Sequence, residues 1–303
     1  EDAGDPTATA GHAGLGDLAR ATAEQLKSQG MTSVSLRLDD TLFTGAQWND
    51  GWEAGNEQYV AKIQPIMVDI SSTQNQGYSA DPAMEAAQAF ARHLSDAGIT
   101  VDGDASRAAA SSGARELASV SSAPLSDILA LSLKTSDNTM TEVEGRLVAV
   151  QAKETADFAG ASKAVAAQLR KDGFDTSGLT LLDSSGLAKG NKVPARLLTQ
   201  ILARSVGDKG GSAGRTLIAD LPVGALDGTL GNRLHDTAAA GTVRAKTGSL
   251  EQTSSLAGVV TTADGRLLAF SILTNDFPAN GSTAAAAAID NHFVAPLAAC
   301  GCS

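Results

Sequence analysis

The chain has 303 residues, 43% of them hydrophobic, enough for a sizeable core in one large domain or two ordinary ones. Its net charge of −11, with 23 scattered Lys and Arg and no basic run, excludes nucleic acid as a partner and assigns the acidic surface to solubility. No apolar stretch approaches the ~20 residues needed to cross a bilayer, and the composition is that of a soluble globular protein.

In chain order, residues 1–13 are rich in Gly, Ala, Thr and Asp and read as loop. Leu15, Leu18, Ala19, Thr22 and Leu26 share one helical face, and Gly30 supplies a stop. Val34, Leu36 and Leu38 then alternate with polar residues as in a half-buried strand, ending at Asp39 and Asp40, which read as turn formers rather than a carboxylate pair. Trp48 and Trp52 lie in a Gly- and Asn-rich loop, where they line a groove or, the blander reading, cover a core edge. Asp81 and Pro82 open a helix that runs through Ala86, Ala89, Phe90 and Leu94 to Gly98. Strands are expected at residues 99–101 and 115–121, and a helix over LSDILALSLKT.

That helix leads into Ser136-Asp137-Asn138, which taken alone is a helix cap for the segment that follows. Further helices are expected over residues 141–150, 158–171 and 194–205, with a short strand, LTLLD, between the last two. At VRAKTGSL a strand begins, and two apolar runs, 256–261 and 267–273, are separated by the turn signal Asp264-Gly265. The pattern predicts antiparallel strands with Lys246, Thr247 and Gly248 near their leading edge. A cation, a hydroxyl and a glycine grouped on a strand suit an extended peptide ending in a carboxylate: charge, a directional donor, and room for a backbone to lie close. An alanine-rich helix over 282–299 should pack on this sheet. His12, His93, His235 and His292 show no metal spacing, and no Gly-rich loop precedes a Lys-Ser/Thr pair, so neither a metal nor a nucleotide site is expected. Cys300 and Cys302 form either a local disulfide or two reduced tail thiols.

Together and in this order, S-D-N and K-T-G resemble the second and third motifs of penicillin-binding proteins and serine β-lactamases. The segments GDPTATAG, LRLDDTLFTGAQWNDGW, IMVDISS and DSSGLAKGNKVPARLL narrow this: the chain resembles the D-alanyl-D-alanine carboxypeptidase/endopeptidase family, the class C low-molecular-mass penicillin-binding proteins, over nearly its whole length. One departure stands out. The family's nucleophile motif, Ser-x-x-Lys, is absent from residues 1–303, and in the family it lies upstream of the segment like GDPTATAG.

The resemblance implies an α/β (α+β) fold, a DD-peptidase-like catalytic domain of antiparallel sheet flanked by helices, with residues 1–121 as an inserted non-catalytic region and 122–303 as the C-terminal part of the catalytic domain. It implies catalytic roles for Ser136, Asn138 and Lys246 and substrate binding by Thr247, Gly248 and Ser249, the last through its backbone N–H. Peptidoglycan stem peptides ending in D-Ala-D-Ala and β-lactam inhibitors are the implied ligands, no cofactor is implied, and the site of action is extracytoplasmic. The nucleophile and the strands preceding it are then expected from a second polypeptide or from residues outside the chain. The alternatives are a non-acylating peptidoglycan-binding relative, an inactive fragment, or a serine β-lactamase, the last weakened by the long region before Ser136.

Overall fold

The computed structural model describes residues 3–68 and 77–301, so the last four residues of the segment IMVDISS lie outside the described residues. The chain forms two compact units, one of Glu1–Ile128, Asn138–Val165 and Leu182–Lys189, the other of Leu129–Asp137, Ala166–Leu181 and Gly190–Ser303.

In the first unit, α1 (Leu15–Ser28) is followed by the two-residue strands β1 (Ser33–Val34) and β2 (Arg37–Leu38). Helix α2 (Pro82–Asp96) precedes β3 (Thr100–Val101) and β4 (Ser106–Arg107), which pair in parallel with β1 and β2 respectively. The apolar faces of α1 and α2 meet through Ala19, Ala23, Leu26, Leu94 and Ile99. Asp81 caps α2 by accepting the Met84 N–H at 3.3 Å, with Pro82 in the first turn, and Gly30 ends the α1 segment at φ +75°. The strand expected through Val34, Leu36 and Leu38 is broken into two short pieces. The one expected at 115–121 is not a strand: the segment is largely exposed, no ladder pairs with it, and only Leu117 packs, against the α1–α2 cluster.

Helix α3 (Leu125–Thr135) ends at Ser136 and α4 (Asn138–Ala152) begins two residues later, three residues earlier than the sequence pattern predicts. Helix α5 (Phe158–Lys171) has the predicted bounds. The buried face of α4 is polar, with Thr139, Glu142 and Arg146 each 1% exposed. Each bonds to backbone: the Ala61 N–H donates to Thr139 Oγ1 at 2.9 Å, and the two terminal guanidinium nitrogens of Arg146 donate to the carbonyls of Thr44, Ala46 and Ala156 at 2.6–2.8 Å. Glu142 Oε1 accepts the N–H groups of Ser184 at 3.0 Å and Ser185 at 2.7 Å. Burial in this pocket, beside Asp183, pushes the Glu142 carboxyl up to about 7. Trp52 covers a core edge, donating Nε1–H to Asp183 Oδ2 at 2.8 Å and packing edge-on to Trp48 and Phe158.

The second unit holds α6 (Ala195–Val206), α7 (Gly211–Asp220) and an antiparallel sheet in the order β5 (Val243–Leu250), β6 (Thr253–Thr261), β7 (Leu267–Asn275). The Gly-rich opening of α7 hid that helix from the sequence pattern, and the expected strand LTLLD reduces to one bridge between Thr180 and Lys192. The β6–β7 turn runs through Gly265 at φ +82°, as Asp264-Gly265 predicts. Val243, Ala245, Leu256, Val260 and Phe270 of the sheet pack on Leu230 and on Ile289, Val294 and Ala298 of the closing helix. That helix is α8 (Ser282–Ile289) and α9 (Ala295–Ala299), joined by a π-helical turn over Asp290–Val294. Cys300 is disulfide-bonded, and Cys302 lies outside the described residues.

Candidate active site

Ser136 sits between α3 and α4 at φ +57°, a left-handed conformation that costs a non-glycine residue free energy and breaks the helix. The Asp137 N–H closes the end of α3 on the Ser132 carbonyl at 3.2 Å. This kink presents the Ser136 hydroxyl to β5, where Lys246 Nζ donates to Ser136 Oγ at 2.6 Å and to the Thr247 carbonyl at 2.9 Å. Burial depresses Lys246 from its ordinary 10.5 to about 8, because a low-dielectric surrounding penalises the ammonium. The ammonium therefore persists at neutral pH, but close to its titration point.

Strand register fixes the rest of the motif. Ala245 N–H donates to the Pro222 carbonyl, and the Val243 carbonyl accepts from Gly224 N–H, so the odd-numbered positions of β5 turn their backbone groups away from β6. By the same alternation the N–H groups of Thr247 and Ser249 face the outer edge, which beyond the Val223–Arg244 bridge pairs with no other strand among the described residues. Gly248 stands opposite Ser255, and a Cβ there would lie 2.3 Å from Ser255 Oγ. Ser249 is exposed and stands opposite Ser254.

Thr247 Oγ1 donates to Thr229 Oγ1 at 2.8 Å. Thr229 lies in a 3-10 turn over Gly228–Leu230, held by Asp227, whose carboxylate accepts Lys134 Nζ at 2.6 Å and the Val223 N–H at 2.7 Å. Lys134, two residues before Ser136, also donates to the Leu221 carbonyl at 2.8 Å. Thr229, Asp227 and Lys134 were invisible as site residues in the sequence; Asp227-Gly228 is a turn signal, but Asp227 meets Lys134 93 positions away and Thr229 meets Thr247 18 positions away.

Of the six residues singled out by sequence, Ser136, Lys246, Thr247, Gly248 and Ser249 belong to the second unit, where Ser136 and Lys246 are in direct contact. Asn138 belongs to the first. It opens α4, and its Nδ2 donates to the Tyr59 carbonyl at 3.0 Å, leaving the amide oxygen's orientation fixed by that bond.

The sequence model of the D-Ala-D-Ala carboxypeptidase 3 (S13) family matches residues 1–79 and 72–295. The carboxypeptidase Rv3627c of Mycobacterium tuberculosis is 36% identical over 304 residues, which cover 93% of this chain and 64% of that protein. The carboxypeptidase DacB of Mycolicibacterium smegmatis is 35% identical over 302 residues, 96% of this chain and 63% of that protein. The chain thus spans less than two thirds of the length of either relative. The crystal structure of penicillin binding protein 4 (dacB) from Haemophilus influenzae shares the fold, with a TM-score of 0.72 at 23% identity over 91% of this chain and 75% of that one. With a matched region that takes in both the Ser136–Asn138 joint and the strand of Lys246, the chain belongs to the D-Ala-D-Ala carboxypeptidase 3 (S13) family.

Proposed function

We propose that these residues are the substrate-reading part of a serine D-alanyl-D-alanine carboxypeptidase/endopeptidase that acts outside the cytoplasm on peptidoglycan stem peptides and is acylated by penicillins. The observation that carries this reading is the 2.6 Å contact between Lys246 Nζ and Ser136 Oγ at the open edge of β5. A serine from a Ser-x-x-Lys element outside residues 1–303, on the same or a second polypeptide, attacks the carbonyl between the terminal D-alanines. The C–N bond breaks, D-alanine leaves, and water hydrolyses the acyl-enzyme.

In this scheme Ser136, polarised by Lys246, passes the proton toward the leaving amine. Asn138 holds a substrate backbone amide, and Thr247 binds the terminal carboxylate. Gly248 admits the peptide to the strand edge, and the outward Ser249 N–H is one oxyanion donor, the nucleophile's own N–H being the other. The inserted, non-catalytic role falls to residues 1–121 and the catalytic one to 122–303.

Intact mass before and after incubation with benzylpenicillin tests the scheme. A stoichiometric adduct on a polypeptide that carries both this chain and a Ser-x-x-Lys element, or on a co-purifying fragment, with loss of the adduct in K246A, is expected. A preparation containing both that takes up no penicillin overturns acyl chemistry and leaves a peptidoglycan-binding relative.

A further inference from the structure

The Thr247–Thr229 hydroxyl pair is placed to do more than pack. Thr247 Oγ1 spends its one proton on Thr229 Oγ1, 2.8 Å away, and among the described residues Thr229 Oγ1 makes no other hydrogen bond. Two hydroxyls carry two protons and their mutual bond uses one, so the pair holds a proton for an outside acceptor whichever way the bond runs. Both residues are part-exposed, so an outside acceptor can reach them.

The turn that presents Thr229 is rigid for a loop. Asp227 is tied to Lys134 Nζ and to the Val223 N–H, Leu230 is fully buried in the sheet core, and a Cβ at Gly228 would stand 2.8 Å from the Lys134 carbonyl. Thr229 is therefore anchored on both sides, and its hydroxyl has a fixed address beside Thr247. A hydroxyl that accepts a bond from a second hydroxyl has only its own proton to give; one that receives such a bond is polarised and becomes a better donor to an anion.

We infer that Thr229 is a positioning residue for recognition of the substrate's terminal carboxylate: when the carboxylate arrives, the pair reverses, Thr229 donating to Thr247 Oγ1 while Thr247 turns its proton to the carboxylate. This rests on the peptidase reading above, in which Thr247 meets that group. The consequence is a selectivity role. Thr229 favours a free C-terminal carboxylate over a neutral carboxamide, because only the anion repays a strengthened donor in full.

The test is the binding of diacetyl-L-lysyl-D-alanyl-D-alanine and of its C-terminal carboxamide, by calorimetry or NMR titration, to a polypeptide that carries both this chain and a Ser-x-x-Lys element with its serine replaced by alanine. Without the nucleophile hydroxyl the protein does not consume the ligand, so an equilibrium is measured. Native protein should prefer the free acid, T229V should lose about fivefold to tenfold of that preference, and T229S should restore it. A merely structural loss would weaken both ligands alike and leave their ratio unchanged. A native ratio retained in T229V overturns the inference while leaving the peptidase reading intact. Native protein that binds neither ligand, or does not prefer the acid, overturns the carboxylate reading of Thr247 and this inference with it.

Discussion

Lys246 Nζ and Ser136 Oγ lie 2.6 Å apart although 110 positions separate them in the chain. The contact depends on two independent local features: a left-handed kink at Ser136 that ends α3, and a strand whose register aims Lys246 at it. Burial of Lys246 on that strand depresses its pKa, since low-dielectric surroundings penalise the ammonium.

Anion binding at this strand should follow the Lys246 charge. Below about pH 8 the ammonium is present; above it the charge is lost, two pH units or more before an exposed lysine would lose it. The affinity for diacetyl-L-lysyl-D-alanyl-D-alanine should be flat from pH 6 to 7.5 and fall by about tenfold toward pH 9.5, with K246R flattening that fall. Titrations in which affinity holds to pH 10 would show that Lys246 burial does not govern the site.

Glu142 supplies a second pH dependence, of folding. Its carboxyl sits at about 7 in the folded protein against 4.5 in an exposed chain. Between those values the folded state keeps a proton that the unfolded state has released, so the stability from this group is full below about pH 4.5 and is lost as pH rises through 7. In E142Q the amide oxygen still accepts the N–H groups of Ser184 and Ser185, and position 142 carries no charge at any pH. The variant should be nearly neutral at pH 5 and more stable than native by roughly 1–3 kcal/mol at pH 8. Thermal melts showing the same shift at both pH values would sink this account.

The two motifs were legible because each is contiguous and flanked by clear periodicity, and the Asp264-Gly265 turn fixed the β6–β7 hairpin against which the strand of Lys246 pairs. What was not legible is tertiary or polar. Thr229 gains its meaning only from Thr247, and α4 buries Thr139, Glu142 and Arg146, a face that an apolar-stripe reading assigns to solvent. Helix α7 opens on Gly211, Ser212 and Gly214, residues of weak helix propensity, and forms because tertiary packing overrides it; Gly214 is buried within 2.8 Å, by its would-be Cβ, of Ser205 backbone.

Arg146 ties loop segments of the first unit to α4. Its guanidinium is buried, gives hydrogen bonds to three loop carbonyls, and stacks 4.4 Å from the Phe158 ring centroid. Replacing it by Met of similar length removes the donors and takes this partner from the Thr44 and Ala46 carbonyls, while the Ala156 carbonyl keeps the Thr44 N–H at 3.0 Å, so R146M should lose about 3–5 kcal/mol in urea unfolding. R146K, with one ammonium for three acceptors, should recover only part. A loss below about 1 kcal/mol in R146M would mean that water replaces the guanidinium at little cost.

Two glycines beside the candidate site separate packing from ligand approach. At Gly258 a Cβ would lie 2.1 Å from the Arg244 carbonyl oxygen and 2.5 Å from Ala245 Cα, so alanine must push β5 off β6. At Gly248 the nearest atom is Ser255 Oγ at 2.3 Å, the end of a side chain that can rotate, with Ser255 Cβ at 3.7 Å. G258A should therefore cost about 2–4 kcal/mol of stability and disturb the Lys246–Ser136 contact through the shifted strand. G248A should melt within about 1 kcal/mol of native, because only a rotamer changes, yet bind the peptide ligand more weakly, because the added methyl occupies the strand where the substrate lies. Equal stability losses in the two variants would contradict the difference in their surroundings, and native-like peptide binding by G248A would remove Gly248 from the substrate path.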